Sequence, residues 1–275
     1  SAAPAPAALT GTGTVSIAAI GSAVTQDFDT LANTGTSSTL PTGWYFDEVG
    51  TGANLLYAAS TGSTTSGDAY SFGALGSTER AFGTLLSGSN TVTLGAQFTN
   101  DSGSSIGSLD FAYVGEQWRL GTLNRADGLV FQISFDATSL TTGAWTTVSQ
   151  LNFNAPTTTG TLGLLNGNLA ANQSAISYSL MLATAIASGQ SFWIRWTDTN
   201  ASGSDDGLGI DNFSITAQAA VASPGSLTVN DVSAAEGNAG TTDITFTVNR
   251  TGGSAGAVSA TWTLANGTSD DADFT

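Results

Sequence analysis

Period-two alternation of apolar and polar residues, sustained over most of the chain, limits most what this sequence can fold into. Val92, Leu94, Ala96 and Phe98 share one face of an extended segment, with Thr91, Thr93 and Gln97 on the other. Leu109, Phe111 and Tyr113 alternate with Ser108, Asp110 and Ala112, and Leu129, Phe131, Ile133 and Phe135 with Val130, Gln132, Ser134 and Asp136. A repeat of two sends successive side chains to opposite faces of a strand, whereas a helix needs apolar positions three and four apart. The polar turn 100–105 between the first two runs predicts that they form a hairpin. Further strands are expected at 145–153, 174–182, 191–199 and 208–216, and earlier ones at 24–31, 69–72 and 80–85. About nine or ten strands joined by Gly/Ser/Thr turns predict an all-β fold for residues 23–217, a two-sheet sandwich of jelly-roll type.

The segment Ala217-Gln-Ala-Ala-Val-Ala-Ser-Pro-Gly225 is small and proline-bearing, which places a linker at 218–225. Beyond it, 226–275 opens a second unit with strands expected at 226–232, 243–249 and 257–264. Three strands do not close a sandwich core, so the natural chain is expected to continue or a neighbouring molecule to supply strands. Residues 1–22 form an extension in which Val15, Ile17 and Ala19 alternate. It reads either as an edge strand of the sandwich or as a strand exchanged into another copy.

Charge narrows the chemistry. The chain has 21 acidic residues against five basic ones, a net charge of -16. The basic residues are all arginine: Arg80, Arg119, Arg125, Arg195 and Arg250. Binding nucleic acid needs a cationic surface, and docking on anionic lipid needs one too, so neither is expected. No run of about 18 apolar residues exists to insert in a membrane. With no cysteine, histidine or lysine, the chain cannot build a thiolate site, a Ser-His-Asp triad, a Schiff base or a P-loop. Paired carboxylates, as in glycosidases, are the main remaining catalytic route; Glu48 and Glu116 can be nominated, but no spacing signature supports them. The opening Ser1-Ala-Ala-Pro-Ala-Pro-Ala-Ala8 has neither a positive n-region nor a long apolar core, so it reads as the start of a mature exported chain or a tag junction.

Two stretches resemble known families. Gln26-Asp-Phe-Asp-Thr-Leu31, Leu40-Pro-Thr-Gly-Trp44, Gly115-Glu-Gln-Trp-Arg119, Phe192-Trp-Ile-Arg-Trp-Thr-Asp198 and Gly207-Leu-Gly-Ile-Asp-Asn-Phe213 together resemble a jelly-roll module of secreted bacterial proteins. The resemblance implies a setting beside Calx-beta repeats, lamin-tail domains or an endonuclease/exonuclease/phosphatase domain. Leu227-Thr-Val-Asn-Asp231, Ala235-Glu-Gly237 and Gly267-Thr-Ser-Asp-Asp-Ala-Asp-Phe274 resemble the first half of a Calx-beta domain, an incomplete Ig-like sandwich. That resemblance implies calcium ligands at Glu236 and Asp273.

The residues also suggest calcium on their own. Ca²⁺ takes six to eight oxygen ligands, and acids in β loops are the usual source. The loop from Asp198 through Asp205 and Asp206 carries acids at both ends of a flexible Gly/Ser stretch and leads into Asp211. Asp27 and Asp29 lie on an early strand; pairing of the first and last strands brings them near Asp211. The plain alternative is a solvated acidic loop. For sugar binding, Trp118 and Trp193 can stack on a pyranose, with Glu116, Arg119 and Arg195 to hold hydroxyls; against this, the tryptophans read as core, with Arg195 over a ring. Glu79 beside Arg80, and Glu116 near Arg119, read as structural ion pairs. The function expected is a non-catalytic, calcium-stabilised, secreted or cell-surface module with an adhesive or architectural role, assembling with copies of itself by strand complementation. Two alternatives stand beside it: the accessory front of a secreted nuclease or phosphatase whose catalytic part lies past Thr275, and a module that binds cell-surface polysaccharide.

Overall fold

The computed structural model describes residues 7–235, 239–263 and 265. It divides after Ala220, and the first unit is an all-β sandwich. One sheet runs β1 (Ala7–Gly11), β5 (Trp44–Val49), β9 (Thr91–Asn100), β16 (Ser191–Asp198), β11 (Gly128–Ser134) and β12 (Thr146–Thr147). Alongside that path, β13 (Phe153–Asn154) pairs with β11, and β2 (Val15–Ile17) lies parallel to β9. The other sheet runs β14 (Gly163–Leu164), β10 (Ile106–Leu120), β17 (Gly207–Ala219), β8 (Ala81–Leu85), β7 (Asp68–Phe72), β6 (Tyr57–Ser60) and β4 (Thr36–Ser37). β15 (Gln173–Ile186) pairs with β10, and β3 (Ala23–Gln26) with β17.

Alternation sets which face of each strand turns inward. Val92, Leu94, Ala96 and Phe98 of β9 meet Leu109, Phe111 and Tyr113 of β10 in one core. At its centre Trp44 and Trp196 stack 6.2 Å apart, and Phe213 meets both edge-on. The hairpin expected between β9 and β10 is not formed, because the two strands lie in different sheets. Buried Asn100 fixes that crossover: its side chain donates to Ser104 and Ile186 carbonyls and accepts from Ser102. A polar turn signals a change of direction, and here the chain changes sheet instead of partner.

Other expected strands differ in extent. The segment 145–153 yields only β12, a 3₁₀ turn at Ser149–Leu151 and the start of β13. The early strand stops at Gln26, because Phe28 takes a left-handed φ of 58° that turns its ring into the core against Trp44 and Phe82. The N-terminal extension pairs within its own sandwich, β1 on β5 and β2 on β9, as an edge element.

Among its described residues the second unit, Val221–Thr275, carries a two-stranded ladder, β18 (Ser226–Val229) on β19 (Val248–Thr251). Arg250 gathers the Pro224, Ala255 and Gly256 carbonyls through its fork. The strand expected at 257–264 is absent among the described residues, and Ile244, Phe246, Val248 and Trp262 are exposed. Glu236 and Asp273 lie outside the described residues.

Candidate metal centre

Pairing of β3 with β17 puts Gln26 opposite Phe213 and brings the acids that follow β3 to the bulge in β17. Asn212, at that bulge, takes a left-handed φ of 49°. Paired left-handed residues such as Phe28 and Asn212 mark places where the chain bends to aim side chains. The Gln26 side chain accepts the Phe28 amide at 2.8 Å and Asp27 accepts the Asp29 amide at 3.2 Å. Asp29 in turn accepts the Arg80 amide at 3.0 Å, which ties the turn to the start of β8.

Within this corner, carboxylate oxygens of Glu79, Glu116 and Asp211 lie within 4.8 Å of one another. Two ligands on one Ca²⁺ at about 2.4 Å are at most about 4.8 Å apart, so the three carboxylates are spaced on the scale of a shared ion. Glu116 and Asp211 are buried, and Asp211 Oδ1 has no hydrogen-bond donor at all. Asp211 Oδ2 accepts from the Asn212 side chain at 2.7 Å, and Glu116 Oε2 from the Trp118 indole at 2.8 Å. Glu79 accepts from Asn168. Burial pushes the Asp211 carboxyl up to about 7, with Glu79, Asp29 and Asp27 adding to the effect against the Asn212 amide. Burial likewise lifts Glu116 to about 8; the Trp118 bond opposes it, and Asp211 and Glu79 add to it.

No arginine forms an ion pair with this group, although Glu79 lies near enough to act on Arg80. Arg80 points its guanidinium at Ser71 and the Ser60 carbonyl, and Arg119 reaches the Gly62 carbonyl. The expected Glu79–Arg80 and Glu116–Arg119 ion pairs are therefore not formed; the guanidinium groups satisfy backbone oxygens instead. An all-oxygen set with a buried lone pair and no donor fits a hard cation and gives no reason for zinc or copper. Asp27 and Asp29 lie near enough to raise the Asp211 carboxyl but are not in the group, which Asp211 shares with Glu79 and Glu116. Their signal was faint: Glu116 is a lone acid between Val114 and Trp118 on one face of β10.

The loop after β16 is organised differently. Asp205 and Asp206 are clamped, together with Asp127, by Arg125 at 3.3, 3.1 and 3.0 Å. These are the ion pairs found among the described residues, and the Ser204 carbonyl completes the fork. Gly121 and Gln117 hold Asp206 further, at 2.7 and 2.8 Å. An arginine thus occupies the place foreseen for a cation between these loop acids. Asp198 is buried at the end of β16 with neither oxygen accepting a hydrogen bond. Burial, with Asp127, Asp205 and Asp206 nearby, drives its carboxyl well above the usual range.

The residues considered for sugar stacking are covered. Trp118 is 1% exposed and stacks on Phe72, and Trp193 is 3% exposed beneath Leu140 and beside Tyr45. Arg195 lies 4.0 Å over Trp145 and donates to Gln132 at 2.7 Å. The 135–145 loop can lie this close to β9 because residue 95 is glycine; a Cβ there would fall 2.5 Å from Leu140. Neither indole offers a free face, so the core reading of these tryptophans describes them and the stacking role does not.

No protein-family model and no curated protein matches the chain. Among solved structures, the CBM22-1 xylan-binding domain of Paenibacillus barcinonensis Xyn10C aligns at 11% identity over 74% of this chain and 99% of its own, with a TM-score of 0.35. The K2 cleaved adhesin domain of Lys-gingipain aligns at 11% identity over 70% and 97%, also at 0.35. TmCBM61, solved with β-1,4-galactotriose, aligns at 13% identity over 52% and 74%, at 0.29. At these scores the likeness is one of general β architecture, and what those proteins bind does not transfer.

Proposed function

We propose that this chain is a non-catalytic, extracellular β-sandwich module held by calcium, with an adhesive or architectural role. The observation that carries the reading is Asp211, whose buried Oδ1 accepts no hydrogen bond and whose carboxylate lies beside those of Glu79 and Glu116. A naked buried carboxylate costs several kcal/mol unless a cation or a proton meets it. Bridging Glu79 from the start of β8, Glu116 from β10 and Asp211 from β17, an ion would join three segments of one sheet, with Asp27 and Asp29 at its rim. No described helix is long and apolar enough to cross a membrane, and the charge of -16 disfavours anionic partners.

Terbium luminescence tests the centre, because Trp118 is hydrogen-bonded to one of its ligands. Tb³⁺ added to metal-stripped protein gives emission sensitised at indole wavelengths, which calcium competes away. Asp211→Asn reduces that emission at least fivefold. Equal emission from this variant, with its fold intact by circular dichroism, rejects the assignment.

Polysaccharide contact is a second reading, favoured by one observation. A shallow groove of about 420 Å³ on the outer face of β10, β15 and β17 is lined by Asp110, Ser177, Ser179, Ser214 and Thr216. Its hydroxyls and carboxylate suit a polyhydroxylated chain. Retarded migration in gels cast with soluble polysaccharides is the expected result; unaltered migration across a panel of them removes this reading.

A further inference from the structure

We propose that β15 is the self-association edge of the module, pairing antiparallel with β15 of a second copy about a two-fold axis at Ser179. This goes beyond the cation-held module and does not depend on it. β15 runs for 14 residues and bonds to β10 on one side, with no strand on its other side among the described residues. Natural proteins protect a long free edge with charges, proline or a bulge that breaks the pairing row. Here Gln-Ser-Ala-Ile-Ser-Tyr-Ser-Leu-Met-Leu-Ala-Thr-Ala-Ile contains no charge and no proline, and its run from Gln173 to Met181 pairs without interruption, the register breaking only beyond it, at 182–185. In a chain carrying -16, such a strand is where two copies can approach with least repulsion.

The faces of β15 suit a copy of itself. Ile176, Tyr178, Leu180 and Leu182 point to the core but are only partly buried, whereas Ser177, Ser179 and Met181 are exposed on the outer face. In a two-fold antiparallel pair each residue faces one on the same side of the sheet. An axis at Ser179 sets Tyr178 opposite Leu180 of the second copy and Ile176 opposite Leu182, so apolar flanks cover each other. Ser174 then faces Thr184, Ala175 faces Ala183, and Ser177 faces Met181. Moving the axis to Leu180 keeps Tyr178 against Leu182 and Leu180 against its copy but sets Ile176 against Thr184. The Ser179 register is therefore the one of the two that matches all four half-covered residues, and it joins the free backbone groups and extends the sheet across two molecules.

The absence of native cysteine makes the test direct. Opposed Cα atoms in an antiparallel pair are about 4.5–5.5 Å apart, inside the disulfide range. Full-length Ser179→Cys is expected to form a covalent dimer under mild oxidation, and Ser177→Cys at least fivefold less. Wild-type protein sediments as a dimer at tens of micromolar, with or without chelator. The pair S177D/M181D sediments as a monomer with its melting temperature nearly unchanged, since both positions are exposed, while S177K/M181D recovers the dimer. Wild-type protein that stays monomeric, equal cross-linking at 177 and 179, or a dimer indifferent to S177D/M181D each overturns the proposal.

Discussion

Metal-stripped protein is expected to melt at steadily lower temperature as pH rises from 5 to 8, and calcium in hundredfold excess over its dissociation constant to restore about 5–10 °C at pH 8 and far less at pH 5. The sign follows from the two raised carboxyls. Asp211 titrates at about 7 and Glu116 at about 8 in the fold, against ordinary values of 3.8 and 4.5. Between those limits the native state holds protons that the unfolded chain has released. Stability is therefore lost as pH rises through the folded values and is fully present below the unfolded ones. A bound divalent ion takes the place of those protons, so its contribution grows over the same window. Glu116→Gln should separate the two regimes: in chelator at pH 8 it melts at or above wild type, and in calcium below it. Differential scanning calorimetry across pH, with and without chelator, reads all of this. A calcium increment that is flat with pH contradicts the exchange of protons for metal.

Removing the Arg125 guanidinium has the other large effect. Arg125→Met leaves Asp127, Asp205 and Asp206 facing each other with their shared cation gone, and Asp198 already accepts no hydrogen bond. Breaking a buried ion cluster from one side costs about 3–5 kcal/mol. For a domain of this size that is roughly a 6–20 °C fall in melting temperature. Asp198→Asn, which removes from beside three other acids a carboxylate whose one nearby donor is the Leu86 amide, should be neutral or stabilising. Chemical denaturation of both variants checks the contrast. An Arg125→Met loss below about 1 kcal/mol would place the cluster with ordinary surface pairs.

What could be read in advance divides along physical lines. Alternation reports which side of a strand faces the core, so the burial of Phe98, Phe111, Phe131 and Ile194 was legible. It does not report partners, and the Asn100 crossover shows why: a turn between sheets and a turn within one use the same polar residues. β5 went unnoticed because Trp44, Tyr45, Phe46, Asp47 and Glu48 are all buried and leave no period-two pattern. At the site, convergence of Asp27 and Asp29 with Asp211 was legible from first-to-last strand pairing. Glu79 and Glu116 come from segments that meet only through the sheet order β10-β17-β8, which no local pattern encodes. Reading the 198–206 loop as a cation loop counted its acids correctly but missed Arg125, which lies about 80 residues earlier and supplies the positive charge.

Calorimetric titration of calcium into metal-stripped wild-type and Asp211→Asn protein is the most direct test of the oxygen centre. Saturable binding by wild type at one high-affinity site, lost in the variant while the 198–206 loop is intact, is the result predicted here. Identical isotherms for the two proteins, or no binding heat in either at pH 8, would contradict it.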